Sequence, residues 1–268
     1  MSLITLNQEK CIKCGMCVKE CPTNVIKMEE NGPKEINPDA CLACGHCVAV
    51  CPKEAIDNKK TPLSDQISIK DAPKLSAEEA ENFIRSRRSI RSFKDKSVSR
   101  EDLLKLVDIA HYAPTASNLQ GVSFVIVDDK EVIKNAAKVS ADWLQNHPVY
   151  SKAFAGMLNE FNQSGVDTIL RDTPSIILAI SDKNFFKGRE NSILSLTYLE
   201  LFAPSLGLGS CWAGVFECCA LSDDSPILEV FKVPEGKKIT GVVMVGHPKH
   251  SFNRLTTRNA LDVAFYEK

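Results

Sequence analysis

CIKCGMCVKECP, residues 11–22, returns thirty residues later as CLACGHCVAVCP, residues 41–52. Both copies read C-x2-C-x2-C-x3-C-P. Cys11, Cys14, Cys17 and Cys21 match Cys41, Cys44, Cys47 and Cys51, and the echo extends to Gly15 and Gly45 and to Ile26 and Ile56. A fixed offset across all four cysteines marks an internal duplication. It uses eight of the eleven cysteines in the 268 residues. Thiols this close do not pair as ordinary disulfides, and clustered cysteines in a reducing compartment signal metal or redox chemistry. Zinc ribbons use paired C-x2-C knuckles, not triplets closed by Cys-Pro.

Two-residue spacing lets successive thiolates wrap one face of a cubane cluster. A glycine inside each motif lets backbone N–H groups approach sulfur. Residues 1–60 resemble a bacterial dicluster ferredoxin. The resemblance implies two [4Fe–4S] clusters, with the fourth cysteine of each motif crossing to the other. Cys11, Cys14, Cys17 and Cys51 would hold one, and Cys41, Cys44, Cys47 and Cys21 the second. His46 reads as a surface residue, since the cysteines complete both sets. Asn31-Gly32-Pro33 reads as a hairpin turn. So small a domain has little core of its own, so the clusters would supply much of its stability.

Composition bounds the rest. Apolar content is 44%, charged content 25% and the formal net charge −1, as in a soluble globular protein. Near-neutral charge argues against nucleic acid as a partner. Apolar runs such as SIILAI (175–180) and GVVMVG (241–246) are strand-sized and too short to span a bilayer. The opening MSLITLNQEK lacks the zones of a signal peptide. The expectation is a cytoplasmic protein with no membrane or nucleic-acid partner.

Periodicity is lost over residues 57–75, which places a linker at 61–75 and a second domain at 76–268. Ser76 and Glu79 form a capping box ahead of a helix. A second helix is signalled by SREDLLKLVDIAHYA, with Leu103, Leu106, Val107 and Ala110 on one stripe. Strands are expected at 123–127, 175–180, 210–216 and 239–246, and helices at 129–146, 151–164, 190–206 and 222–232. The class is α+β. GLGSCWAG opens as G-x-G, but Trp212 stands where a dinucleotide loop needs its third glycine, and there is no Walker A sequence.

Clusters move electrons singly and most organic reductions take two, so a flavin is the expected junction. Its phosphate would need several cations. Arg87, Arg88 and Arg91 around Ser89 supply them, although on composition alone SRRSIRSF reads as an exposed basic face. RRSIRSF (87–93), APTASNLQGVSFVIV (113–127), GLGSCWAGVF (207–216) and VGHP (245–248) occur in the order found in the nitroreductase family of FMN flavoproteins, and the resemblance covers 76–268. It implies a three-layer α/β/α domain with a mixed central sheet, an intertwined homodimer and bound FMN. Arg87, Ser89 and Arg91, with Arg88 between them, fall on the family's phosphate and ribityl-chain positions. Asn118 falls on its asparagine near the isoalloxazine, with Gln120 close by. Trp212, Ala213 and Gly214 fall on the loop against the flavin ring. Arg254 and Arg258 are both available as the C-terminal basic residue that returns to the phosphate. Gly121-Val122 replaces the family's Pro-Trp. Trp143, Tyr150, Phe154 and Phe161 either cover the flavin face or pack as core.

The implied activity is FMN-dependent oxidoreduction. Two clusters relay electrons to FMN, which reduces an electron-poor nitroaromatic, quinone, activated alkene or flavin by hydride transfer. The donor is NAD(P)H or a redox protein. Reversed flow, with export through the clusters, and a non-catalytic electron-transfer or redox-sensing flavoprotein are the alternatives. Tyr112 and His111 are proton-donor candidates beside solvent. Cys211, Cys218 and Cys219 read as small buried hydrophobes.

Overall fold

The computed structural model describes residues 2–266. They fall into two compact units, 2–74 with Ser117–Leu119, and 75–116 with 120–266.

The first unit is built twice over from one pattern. Strand β1 (Ile4–Leu6) leads to helix α1 (Met16–Lys19) and the hairpin β2 (Ile26–Glu29) and β3 (Gly32–Glu35). Helix α2 (His46–Ala49) and strand β4 (Ile56–Asn58) follow. β1 pairs antiparallel with β4, and β2 with β3 across a turn at Glu30-Asn31, so the expected Asn31-Gly32-Pro33 turn falls one residue early and Gly32 and Pro33 pair with Glu29 and Met28 in the hairpin. Gly15 and Gly45 cap α1 and α2 at φ of 77° and 74°, a region that a side chain strains. Leu3, Ile4, Val25, Ile26, Val48 and Ile56 form the core with Cys17 and Cys47. Order continues past residue 57, because the Asp57 carboxylate accepts the Leu63 N–H at 2.8 Å ahead of a 3-10 turn, Leu63–Asp65.

In the second unit the capping box sets the start of α3 (Ala77–Ser86), and Ser99 caps α4 (Arg100–His111). Then come β5 (Ser123–Val127), α5 (Lys130–Asn146), α6 (Tyr150–Ala153), α7 (Ala155–Ser164), β6 (Ser175–Asp182), α8 (Gly188–Phe202), β7 (Gly209–Trp212), α9 (Gly214–Ala220), α10 (Ile227–Val230) and β8 (Lys237–Gly246). The expected helix 151–164 breaks at Phe154, whose ring stacks on Tyr150 and packs against the core. The expected strand 210–216 ends at Trp212, after which the chain turns into α9. The expected helix 222–232 contracts to α10, starting only after Pro226.

The sheet runs β5-β6-β8-β7 with antiparallel ladders, and a parallel bridge joins Ser89 to Ser210. Alternate residues of β6 and β8 face opposite ways, as strand geometry dictates. Ile176, Leu178, Ile180, Val242 and Met244 pack with α5 and α9, through Ile133, Leu144 and Phe216. Ile177, Ala179, Val243 and Val245 pack with α4 and α8, through Leu103, Leu106, Leu196 and Leu199. Helices thus cover both faces, which gives the three layers. Among the described residues no helix is long and apolar enough to cross a membrane.

Candidate functional site

The duplicated motifs line two cavities. Cys11, Cys14, Cys17 and Cys51 line the first. Cys41, Cys44, Cys47 and Cys21 line the second, so each cavity takes its fourth cysteine from the other repeat. Among the described residues no three His, Cys, Asp or Glu side chains converge as ligands of a single ion. The thiols stand around the cavity walls instead. Burial first, then the neighbouring Cys51, pushes the Cys17 thiol up to about 11, and burial likewise raises Cys47. A thiolate at such a position would be stabilised by a bound cation. Matching backbone donors serve both sites. The Val25 N–H reaches Cys21 Sγ, and the Ala55 N–H reaches Cys51 Sγ, each at 3.2 Å.

In the second unit, residues 86–93 run from the end of α3 along the outer edge of β7. Ser89 bridges Ser210, and the Ile90 N–H donates to the Ser210 carbonyl at 2.9 Å. Gly209 permits this approach, since a Cβ there would lie 2.3 Å from Ile90 Cγ1. Arg87 caps α3 and stands 3.6 Å from the Glu200 carboxylate, which also accepts the Ser210 hydroxyl at 3.1 Å. Arg88 donates to the Arg85, Arg87 and Arg254 carbonyls and lies over the Phe252 ring. Its Nε is buried without a partner. An orphaned buried guanidinium N–H beside a second arginine suits an anionic ligand. Arg91 is exposed.

Trp212 is held rigidly. Its Nε1–H donates to Glu217 at 2.7 Å, and the Arg189 guanidinium sits 5.2 Å from its ring while gripping the same carboxylate. The other Glu217 oxygen accepts the Val242 N–H at 2.7 Å. Ala213 is buried and donates to the Val242 carbonyl, and Gly214 opens α9 with free space where a Cβ would point.

Sequence-predicted residues are thus brought together in part. Arg87, Ser89 and the β7 end of the Trp212 loop are adjacent, and Arg254 meets Arg88. Arg258 lies farther along an exposed tail. Asn118 and Gln120 adopt positive φ, 53° and 49°. The Thr115 hydroxyl accepts the Gln120 N–H, and Asn191 accepts the Ala116 N–H. Asn118 belongs to the first unit, where its Nδ2 donates to the Leu42 and Ala43 carbonyls at 2.9 Å each. Gly121 is needed because a Cβ would meet the Phe185 ring at 2.7 Å. Trp143, Tyr150, Phe154 and Phe161 pack against the core. Tyr112 is exposed, and Cys211 and Cys219 are buried. Glu200 and Glu217 escape sequence reading, since nothing local distinguishes a buried, partnered glutamate from a surface one.

Residues 10–55 match the model of the 4Fe-4S dicluster domain. A candidate NADH dehydrogenase/NAD(P)H nitroreductase of Archaeoglobus fulgidus is 28% identical over 172 residues, 64% of this chain and 87% of the relative. An FMN-bound nitroreductase structure from Bacteroides fragilis superposes with a TM-score of 0.60 at 20% identity, covering 70% of this chain and 99% of that one. An FMN-dependent nitroreductase from Clostridium difficile gives 0.52 at 26% identity, covering 70% and 99%. The nitroreductase family model matches residues 84–247, more than half of the chain, and the chain therefore belongs to the nitroreductase family.

Proposed function

We propose that the chain is an FMN-dependent oxidoreductase that takes electrons singly through two [4Fe–4S] clusters. It would deliver them in pairs, as hydride, to an electron-poor substrate: a nitroaromatic, quinone, activated alkene or second flavin. The observation that carries this is the sorting of eight cysteines into two cavities with exchanged fourth cysteines, on a chain of the nitroreductase family. Bound FMN would supply the exchange between single electrons and electron pairs.

The residues fit such a group. Arg87, Arg88 and Ser89, with the exposed Arg91, would hold the phosphate and ribityl chain. The unpartnered Arg88 Nε is a ready donor. The Arg88 contact with the Arg254 carbonyl favours Arg254 over Arg258 as the returning basic residue. Trp212, Ala213 and Gly214 would line the ring, with the Glu217–Arg189 pair keeping Trp212 from rotating away. Asn118 and Gln120 would contribute from their turn. A homodimer is supported by apolar groups left uncovered in one chain: Phe83 and Ile84 on α3, and Leu261, Val263, Phe265 and Tyr266 on the tail.

Substituting Arg87→Ala and Arg91→Ala together should abolish retention of FMN through gel filtration, read by visible absorbance. Full retention would sink the phosphate assignment. Anaerobic addition of NADH, then NADPH, to the holoprotein separates donors and direction. Flavin bleaching ahead of the clusters would mean nicotinamide feeds FMN and the clusters carry electrons outward. Silence toward both, with reduction by reduced ferredoxin, would make the clusters the entry port.

A further inference from the structure

Of the groups that face the cysteine sulfurs in the two duplicated cavities, one buried side-chain donor has no counterpart in the other repeat. Asn58, only 3% exposed, directs its Nδ2 toward Cys41 Sγ and Cys47 Sγ at 3.8 Å each. The amide cannot turn away, because its Oδ1 accepts the Lys60 N–H at 2.9 Å. Thirty residues earlier the duplication carries Met28, which lines the first cavity and has no N–H to offer. The backbone donors are symmetric: Val25 to Cys21 in one site, Ala55 to Cys51 in the other, at the same 3.2 Å, while the part-buried Thr23 hydroxyl, 4.0 Å from Cys21 Sγ where the other repeat has Lys53, adds to the second site in the same sense as Asn58. The two backbone donors cancel in a comparison of the sites.

A hydrogen bond donated to a cluster sulfur stabilises the reduced, more negative state and raises the reduction potential. We infer that Asn58 makes the cluster of Cys21, Cys41, Cys44 and Cys47 the higher-potential one of the pair. The inference rests on the proposed assignment of two clusters. Charges at the cavity mouths run the other way, with Lys13 and Lys53 lining the first cavity and Glu20 and His46 the second. All four side chains are exposed, so solvent and salt screen them. The Asn58 amide, itself buried, acts directly on two sulfurs. One electron on the Cys11, Cys14, Cys17 and Cys51 cluster therefore moves downhill to its neighbour, with no proton or further reactant. Asn58 is thus a positioning residue that gives the wire a direction.

The test is anaerobic potentiometry of the full-length holoprotein, followed by electron paramagnetic resonance, on the parent, Asn58→Met and Met28→Asn chains. Iron and sulfide analysis shows first whether two clusters are bound, and one cluster in the parent would fail the cluster assignment itself. With both present, Asn58→Met should shift the reduction equilibrium of the higher-potential cluster about tenfold toward oxidised, a fall of ~59 mV for a one-electron couple. The lower potential should stay in place. Met28→Asn should instead raise the lower potential and narrow the gap. Movement of the lower potential in Asn58→Met, or unmoved potentials in both variants, overturns the inference. Should Asn58→Met lose its clusters, Met28→Asn decides alone.

Discussion

Glu200 is a carboxylate buried where α8, β7 and Arg87 meet, and its environment is a compromise. Burial pushes its pKa above the usual 4.5, against the opposing pull of Arg87 and of the Ser210 hydroxyl. A group whose folded value is raised contributes stability that is complete below the unfolded value and fades as pH climbs through the folded one. The flavin-free chain should therefore lose stability toward neutral pH from about 4.5 upward, in the part that comes from this side chain. Glu200→Gln keeps the shape and removes the charge, so its urea midpoint should vary less across that window than the parent's. An identical slope in both chains would show that the Arg87 pairing already offsets the cost of burial. Cys219 lies in the opposite regime: burial raises its thiol to about 11, which leaves it a packing residue at neutral pH.

At the scale of elements, α3 isolates what a cap alone contributes. The Ser76 hydroxyl accepts the Glu79 N–H at 3.2 Å and the Glu79 carboxylate accepts the Ser76 N–H at 2.7 Å, while the helix buries no residue. Ser76→Ala should cost about 1 kcal/mol of local helix stability. Amide exchange across 77–86 should quicken roughly fivefold while the global unfolding midpoint stays put. A matching fall in global stability would mean that α3 is tied into the core, or is covered by a partner copy as its exposed Phe83 and Ile84 suggest. The same locality explains what was legible in sequence. A capping box is four residues long, and β5 at 123–127 is a run of β-branched and aromatic residues that no helix period fits. SCWAGVF was not legible as a strand–helix junction, because a short apolar run without polar alternation fits a strand and a helix alike. The duplicated cysteine motifs could be read from spacing, since both copies lie within one short segment, while the crossing of their fourth cysteines comes from the resemblance to dicluster ferredoxins. Asn58 could be read only by aligning the repeats and asking where they differ. The Arg87–Glu200–Ser210 contact has no local signature, because the sheet alone brings those three residues together.

The whole molecule holds two cores of different strength, and removing iron should separate them. In the first unit the sheets have two strands each, of three or four residues, and α1 and α2 are four residues long. Isolated two-stranded sheets are marginal in water, and a domain this small rarely stands on its core alone. Two clusters would tie Cys11–Cys17 to Cys51 and Cys41–Cys47 to Cys21, fastening both ends of the duplication at once. The second unit needs no such staple, since apolar clusters lie on both faces of its sheet, and Ile176, Ile177, Leu178, Val242 and Val243 are wholly buried. Anaerobic chelation of iron should therefore remove amide protection across β1–β4 while β6 and β8 keep theirs. Calorimetry should retain the larger transition and lose the smaller. Loss of protection in β6 and β8 together with β1–β4 would mean one cooperative structure whose flavin-binding fold depends on its clusters, and a cluster-free chain could then not bind FMN either. Retained protection in β1–β4 would instead mean that the duplicated core, small as it is, folds before the iron arrives.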